Sequence, residues 1–297
     1  MTKTSNDVYD KNKLNGVNSD LWANFRLHLL GLNQSEHSIR SKVNYSKRYH
    51  HILESHNAQE LLSCSYKTRV HTMKALASLS KFMGVHDVWK DIVQRYQLKW
   101  SDSNKGIKVF NAIFQNEGNT YSSMLGWIKE VTSVLPEDYQ NVILFNTLTG
   151  LRPDEAQKAI WLIKNKESEY VDKDRGIIKH YQFPETFLRH TKNAYVSIIN
   201  DPILEIAKST PNKERYTVGL RKRFIKHGYK MNMYYCRKVF ATYLRNKGIE
   251  PEIIDLLQGR ISSSVFVNHY YRPDINEIIT KRIRPVLDEL RKDLTSL

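Results

Sequence analysis

The feature that most constrains this chain is the period of its apolar residues, which is helical almost throughout and changes only once. Leu21, Phe25 and Leu29, then Ile39, Val43 and Leu53, then Val70, Met73, Leu76, Leu79 and Met83 recur mostly at spacings of three and four, which lines one face of an α-helix. Helical patterns continue through Tyr121 to Val134 and Asp138 to Leu148. Between about Tyr170 and Ile199 the texture changes to short β-branched runs, Gly176-Ile177-Ile178 and Ala194 to Ile199, separated by turn residues, as in a small antiparallel sheet. A mainly α chain with a small antiparallel β-sheet in its carboxy-terminal domain is the expected fold. With 297 residues there is room for two domains with their own cores. The predicted division is a polar flexible arm (1–18), a helical domain (19–100), a linker (101–109) around Ser101-Asp102-Ser103-Asn104-Lys105-Gly106, and a second domain (110–297) that carries the sheet.

Charge narrows the partners. Lys and Arg number 46 against 31 Asp and Glu, a formal charge of +15, so polyanions are attracted and nucleic acid leads among them. In the first domain Arg40, Lys42, Lys47 and Arg48, with Tyr45 and Tyr49, and then Lys67, Arg69 and Lys74, with His71, sit between the apolar positions. A helix with one core face and one phosphate-facing side has this pattern, and so does an ordinary solvated face. Cys64 and Cys236 are the only cysteines and lie far apart, which argues against a disulfide framework or a structural zinc site and for a reducing, cytoplasmic setting. The first residues are polar and no stretch approaches the roughly 20 apolar residues of a membrane span, so no membrane partner is expected.

Four segments of the second half carry chemistry. Thr149-Gly150-Leu151-Arg152-Pro153-Asp154-Glu155 places an arginine between two helices, with Pro153 and the acidic pair in a first helical turn. Tyr234 and Arg237, three apart, share one helix face. Pro251 to Gln258 reads as a helix stopped by an αL Gly259, with Arg260 directly after it. His269-Tyr270-Tyr271 offers two adjacent phenols. In this order and at these separations the segments resemble the active site of the tyrosine recombinase family, most closely the integrases of archaeal viruses and plasmids. The motif resemblance spans about residues 110–297; the first domain resembles the family's DNA-clamping core-binding domain by order and texture only.

The resemblance implies a site-specific recombinase that cleaves and rejoins DNA through a 3′-phosphotyrosyl intermediate, with integration or excision of a mobile element as the biological outcome. It implies Tyr270 as nucleophile, with Tyr271 as runner-up; Arg152, Arg237 and Arg260 around the scissile phosphate; Glu155 in support; and Lys192 on a β-hairpin turn as proton donor, with Lys179 behind it. Arg189 and His190 flank that turn, where they contact phosphates or nothing. Tyr234 stands where the family usually has histidine, and a phenol near its ordinary pKa of about 10 is a poor base at neutrality. Because the bond energy is kept in the covalent link, no cofactor, ATP or metal is implied. The implied partners are double-stranded attachment sites and a homotetramer on synapsed DNA, the free protein being a monomer or weak dimer near the nucleoid. The carboxy-terminal stripe Ile275, Ile278, Ile279, Ile283, Val286, Leu287, Leu290 and Leu294 is expected to dock on a neighbouring protomer, with packing on its own catalytic domain as the alternative, because an apolar face does not name its partner. A type IB topoisomerase-like strand transferase, or a DNA-binding protein of this fold that has lost catalysis, are the alternatives.

Overall fold

The computed structural model describes residues 19–32, 34–101, 105–114, 120–189, 192–261 and 264–295; the expected arm, 1–18, lies outside them. The chain divides into two units, Met1–Gln115 and Asn116–Leu297, each with its own apolar core.

The first unit is helical among the described residues: α1 (Ser19–Gly31), α2 (Glu36–Tyr49), α3 (His51–Ser55), α4 (Gln59–Ser63), α5 (Tyr66–Phe82), α6 (His86–Arg95) and α7 (Lys105–Phe114). Ser35 and Ser65 start α2 and α5, each hydroxyl accepting a backbone N–H three residues on and so satisfying a donor that the first turn leaves open. Phe25, Leu29, Ile39, Leu53, Met73, Leu76 and Leu79 are fully buried together, closed over by Trp89 and Ile92 of α6. The close packing of α2 on α5 includes a hydrogen bond from the Ser46 hydroxyl to the Ala75 carbonyl, 3.3 Å. The linker expectation needs correction. Residues from Lys105 onward are helix α7, and the boundary between units falls after Gln115, because Ile107, Phe110, Ile113 and Phe114 already have helical spacing behind the polar run.

The second unit begins with α8 (Tyr121–Val134), α9 (Glu137–Thr149) and α10 (Pro153–Tyr170). Next come β1 (Val171–Asp172), β2 (Ile177–Lys179), α11 (Pro184–Phe187), β3 (Leu188–Arg189), β4 (Lys192–Asn193) and β5 (Val196–Ile198). It closes with α12 (Asp201–Ser209), α13 (Thr217–Lys226), α14 (Tyr234–Asn246), α15 (Pro251–Leu257), α16 (Ile275–Glu277) and α17 (Arg284–Thr295). Every residue from Asn141 to Thr149 is buried, and a helix covered all round belongs at the centre of a core; α8, α10, α12, α14 and α17 surround α9. The expected small sheet is antiparallel, in the order β1-β2-β5 with Ile178 opposite Val171 and Ser197. Strands β3 and β4 form a separate hairpin.

A buried polar chain holds the sheet to α10. His180, fully buried after β2, shares one hydrogen bond with the Tyr170 hydroxyl at 2.5 Å and another with the Ser197 hydroxyl at 2.8 Å. Burial pushes its imidazole pKa down to about 3, below the unfolded value of about 6.5. Between those values the unfolded chain binds the extra proton, so the stabilisation is full above about pH 6.5 and is lost as pH falls. Stability should therefore drop by roughly 2 kcal/mol between pH 7 and pH 5, at about 1.4 kcal/mol per pH unit below the unfolded pKa. Urea unfolding of wild type and His180→Gln across this range checks it: the variant's profile should be flatter, and equal slopes would remove His180 as the cause.

The tail follows the alternative of packing on its own domain, not the expected docking on a neighbour. Ile279, Ile283, Leu287, Leu290 and Leu294 are buried in the core of their own unit, with α17 packed on α8 and α9. Polar ties reinforce this: the Tyr243 hydroxyl donates to Asp293 at 3.1 Å and the Asn200 amide to Asp288 at 2.8 Å. The stripe is covered in cis because α8 and α9 leave an apolar face there. Residues Ile278–Ile283 are wound as a π-helix that runs directly into α17. Leu290→Ala should cost about 2–5 kcal/mol in denaturant unfolding, and truncation before Ile283 should destabilise the whole unit rather than weaken assembly alone. A truncated chain with wild-type thermal stability would contradict this packing.

Candidate active site

Each arginine of the candidate site is set by a chain reversal. Helix α9 ends at Gly150, which has φ +64°, and a Cβ there would lie 2.4 Å from the Phe240 ring. Glycine is needed both for the left-handed backbone and for the close approach. Two residues later Arg152 caps α10 with Pro153 at the first helical position. The Glu155 carboxylate, 2% exposed, accepts the Arg152 backbone N–H at 3.0 Å and the Arg152 Nη1 at 2.9 Å. The same Nη1 donates to the Asn193 carbonyl of β4 at 3.1 Å.

Arg237, in the first turn of α14, reaches two chain turns at once. Its Nη1 donates to the Gly150 carbonyl at 2.8 Å and its Nη2 to the Gln258 carbonyl, while the Gln258 side-chain amide returns a bond to the Arg237 carbonyl at 3.0 Å. Burial, then repulsion by Arg152 and Arg260 against the pull of Glu155 and Asp255, brings its pKa down to about 10, so it stays charged at neutrality. Arg260 follows Gly259, which has φ +67°, as the sequence requires. A Cβ on Gly259 would fall 1.7 Å from the Asn193 carbonyl oxygen, so the end of α15 rests directly on the β3–β4 hairpin. The Arg260 guanidinium is exposed and pairs with Asp255 at 3.2 Å.

Arg152, Glu155, Arg237, Arg260 and the strand bearing Lys192 thus come together from positions far apart in sequence. Lys192 opens β4 next to Asn193 and is exposed. Lys179 is on β2, opposite Val196 in the three-stranded sheet, and so outside the β3–β4 hairpin that carries Lys192. Tyr234, 47% exposed, packs edge-on against Tyr235 and carries the Lys238 ammonium 5.3 Å from its ring centre. His190 lies outside the described residues.

The two phenols differ clearly. Tyr270 ends the π-wound segment Phe266–Tyr270 and is 73% exposed, with no hydrogen bond from its hydroxyl to another described residue. Tyr271 is half-buried against the core, and burial pushes its phenol pKa up. The accessible hydroxyl is that of Tyr270, and among the described residues no hydrogen bond joins it to the arginines.

In the first unit the expected basic residues separate. Lys42 of α2 lies near Lys74 and Lys81 of α5, and burial together with those two charges lowers its pKa. Arg40 and Lys47 instead line a groove with Trp22, Arg26 and Val43 between α1 and α2, where the Lys47 ammonium lies 5.9 Å from the Trp22 ring centre. Arg48 and Arg69 lie over Tyr49 and Tyr66, and Lys67 is exposed. Sequence reasoning missed Lys81, seven residues after Lys74 and therefore on its face, and Gln258, whose signal was a buried polar residue before an αL glycine. It also offered Arg189 only a phosphate contact or none, whereas Arg189 Nη2 donates to Glu155 at 2.6 Å. No local signal marks that ion pair, because the partners lie 34 residues apart.

The chain matches no protein-family model and no curated protein. Among the described residues no helix is long and apolar enough to cross a membrane.

Proposed function

We propose that this protein is a tyrosine-type DNA strand transferase with two-domain tyrosine recombinase architecture, acting at specific sites to recombine a mobile element. The observation that carries the reading is the convergence of Arg152, Arg237 and Arg260. Burial first, and then the charges of Arg152 and Arg260, lower the Arg237 pKa, against the pull of Glu155 and Asp255; a phosphodiester would relieve the repulsion among the three cations further. Fixed guanidinium forks suit the non-bridging oxygens of a pentacoordinate phosphorane.

In the proposed reaction the largely exposed Tyr270 hydroxyl gives its proton to solvent as its oxygen attacks phosphorus, the bond from phosphorus to the 5′-oxygen breaks, and Lys192 gives that oxygen a proton; religation runs both proton transfers in reverse. The 3′-phosphate remains on the tyrosine until a 5′-hydroxyl attacks it and restores the phosphodiester. Lys42, Lys74 and Lys81 supply phosphate contacts from the first unit, with Arg40 and Lys47 as a second group. The proposed partners are duplex attachment sites and, during exchange, a homotetramer on two synapsed duplexes. A nicked suicide substrate, from which the short 5′-hydroxyl strand diffuses away, should accumulate a protein–DNA adduct that survives denaturation. Tight binding without any adduct would favour a binding protein that has lost catalysis. Relaxation of supercoils without a preferred sequence or synapsis would favour a topoisomerase-like enzyme.

A further inference from the structure

Arg189 and Lys192 stand directly opposite each other in the β3–β4 ladder, so their side chains leave the same face of the ribbon. That ladder has only two residue pairs, Leu188 with Asn193 and Arg189 with Lys192, and so short a hairpin is not stable by itself. Its position is set by what it touches. Arg189 Nη2 donates to the buried Glu155 carboxylate at 2.6 Å, and Arg152 Nη1 bonds the Asn193 carbonyl at 3.1 Å. One carboxylate, held by three donors from Arg152 and Arg189, therefore locks the hairpin onto the helix junction that presents the first arginine.

We infer that Arg189 is a positioning residue that acts through Lys192: its ion pair with Glu155 fixes the hairpin so that the lysine ammonium meets the leaving 5′-oxygen. The inference rests on the strand-transfer reading above and adds to it a residue whose guanidinium faces protein instead of DNA. Its signature is chemical. Loss of Arg189 should impair only the step that needs the proton.

The test compares wild type, Arg189→Ala, Arg189→Lys, Lys192→Ala and the Arg189→Ala/Lys192→Ala double variant in single-turnover adduct formation at saturating DNA. Two suicide substrates are used, one with the normal scissile 5′-oxygen and one with sulfur there, because a thiolate leaves without a proton. Arg189→Ala should slow the oxygen substrate by about 10- to 100-fold, part of the roughly 10²–10⁴-fold that a general acid contributes, and stay near wild type with sulfur. Arg189→Lys, which keeps a cation for Glu155, should recover most of the rate. The double variant should be no slower than Lys192→Ala, and DNA affinity should be unchanged. Equal losses on both substrates, or weakened DNA binding by Arg189→Ala, would overturn the positioning role while leaving strand transfer intact. Absence of adduct from wild type on both substrates would instead overturn the strand-transfer reading, and this inference with it.

Discussion

Tyr270→Phe should remove the covalent protein–DNA link completely while leaving DNA affinity within about twofold of wild type. The hydroxyl is the attacking atom in the proposed reaction, and the one adjacent phenol, Tyr271, is half-buried against the core. It has no hydrogen bond within the described protein and the ring is largely exposed, so its loss leaves no buried group unsatisfied, and stability should change by no more than about 0.5 kcal/mol. Tyr271→Phe is the control one residue away: its ring is anchored against the core, and the oxygen is not required for chemistry. Denaturing gels on a suicide substrate read the adduct, and fluorescence anisotropy reads affinity. An adduct formed by Tyr270→Phe but not by Tyr271→Phe would shift the nucleophile by one position and contradict the choice made from exposure.

Arg237→Ala should show two losses from one substitution. The first is catalytic: removing a fixed cation from around the phosphorane costs about 3 kcal/mol or more, a fall in cleavage on the order of 10²–10³. The second is structural. Arg237 bonds the Gly150 and Gln258 carbonyls and so links the turn before Arg152 to the turn before Arg260; leaving buried acceptors unpaired costs about 1–3 kcal/mol each. Arg237→Lys should restore charge but not the pair of divergent bonds, since an ammonium is a point donor without the planar fork. It should therefore recover more stability than rate. Single-turnover cleavage and urea unfolding measured together separate the two effects, and near-normal cleavage by Arg237→Ala would remove it from the site.

The sequence exposed those parts of the fold and site whose causes are local. The bounds of α8, the αL geometry of Gly259, the Arg152-Pro153 helix junction and the shared face of Tyr234 and Arg237 all follow from spacing, glycine and proline within a few residues. What stayed hidden depends on distant partners. The Arg189 to Glu155 pair joins a hairpin to a helix start, and Gln258 matters because Arg237 lies across from it. The covered tail shows the same limit: the stripe from Ile279 to Leu294 announced burial, but an apolar face does not name what covers it, and the face that α8 and α9 offer is visible only in three dimensions. The early helix α7 was obscured for the opposite reason, because a polar run directly before it looked like a complete linker.

The central claim is that Tyr270 becomes covalently joined to a DNA 3′-phosphate beside the three arginines. Trapping wild-type protein on a suicide substrate, digesting the DNA and the protein, and sequencing the nucleotide-bearing peptide by mass spectrometry tests it most directly. The account predicts one modified peptide, spanning the Phe266–Tyr270 segment, with the phosphate on the Tyr270 oxygen. Modification of any other residue, or a protein that binds and releases the substrate with no covalent species, would contradict it.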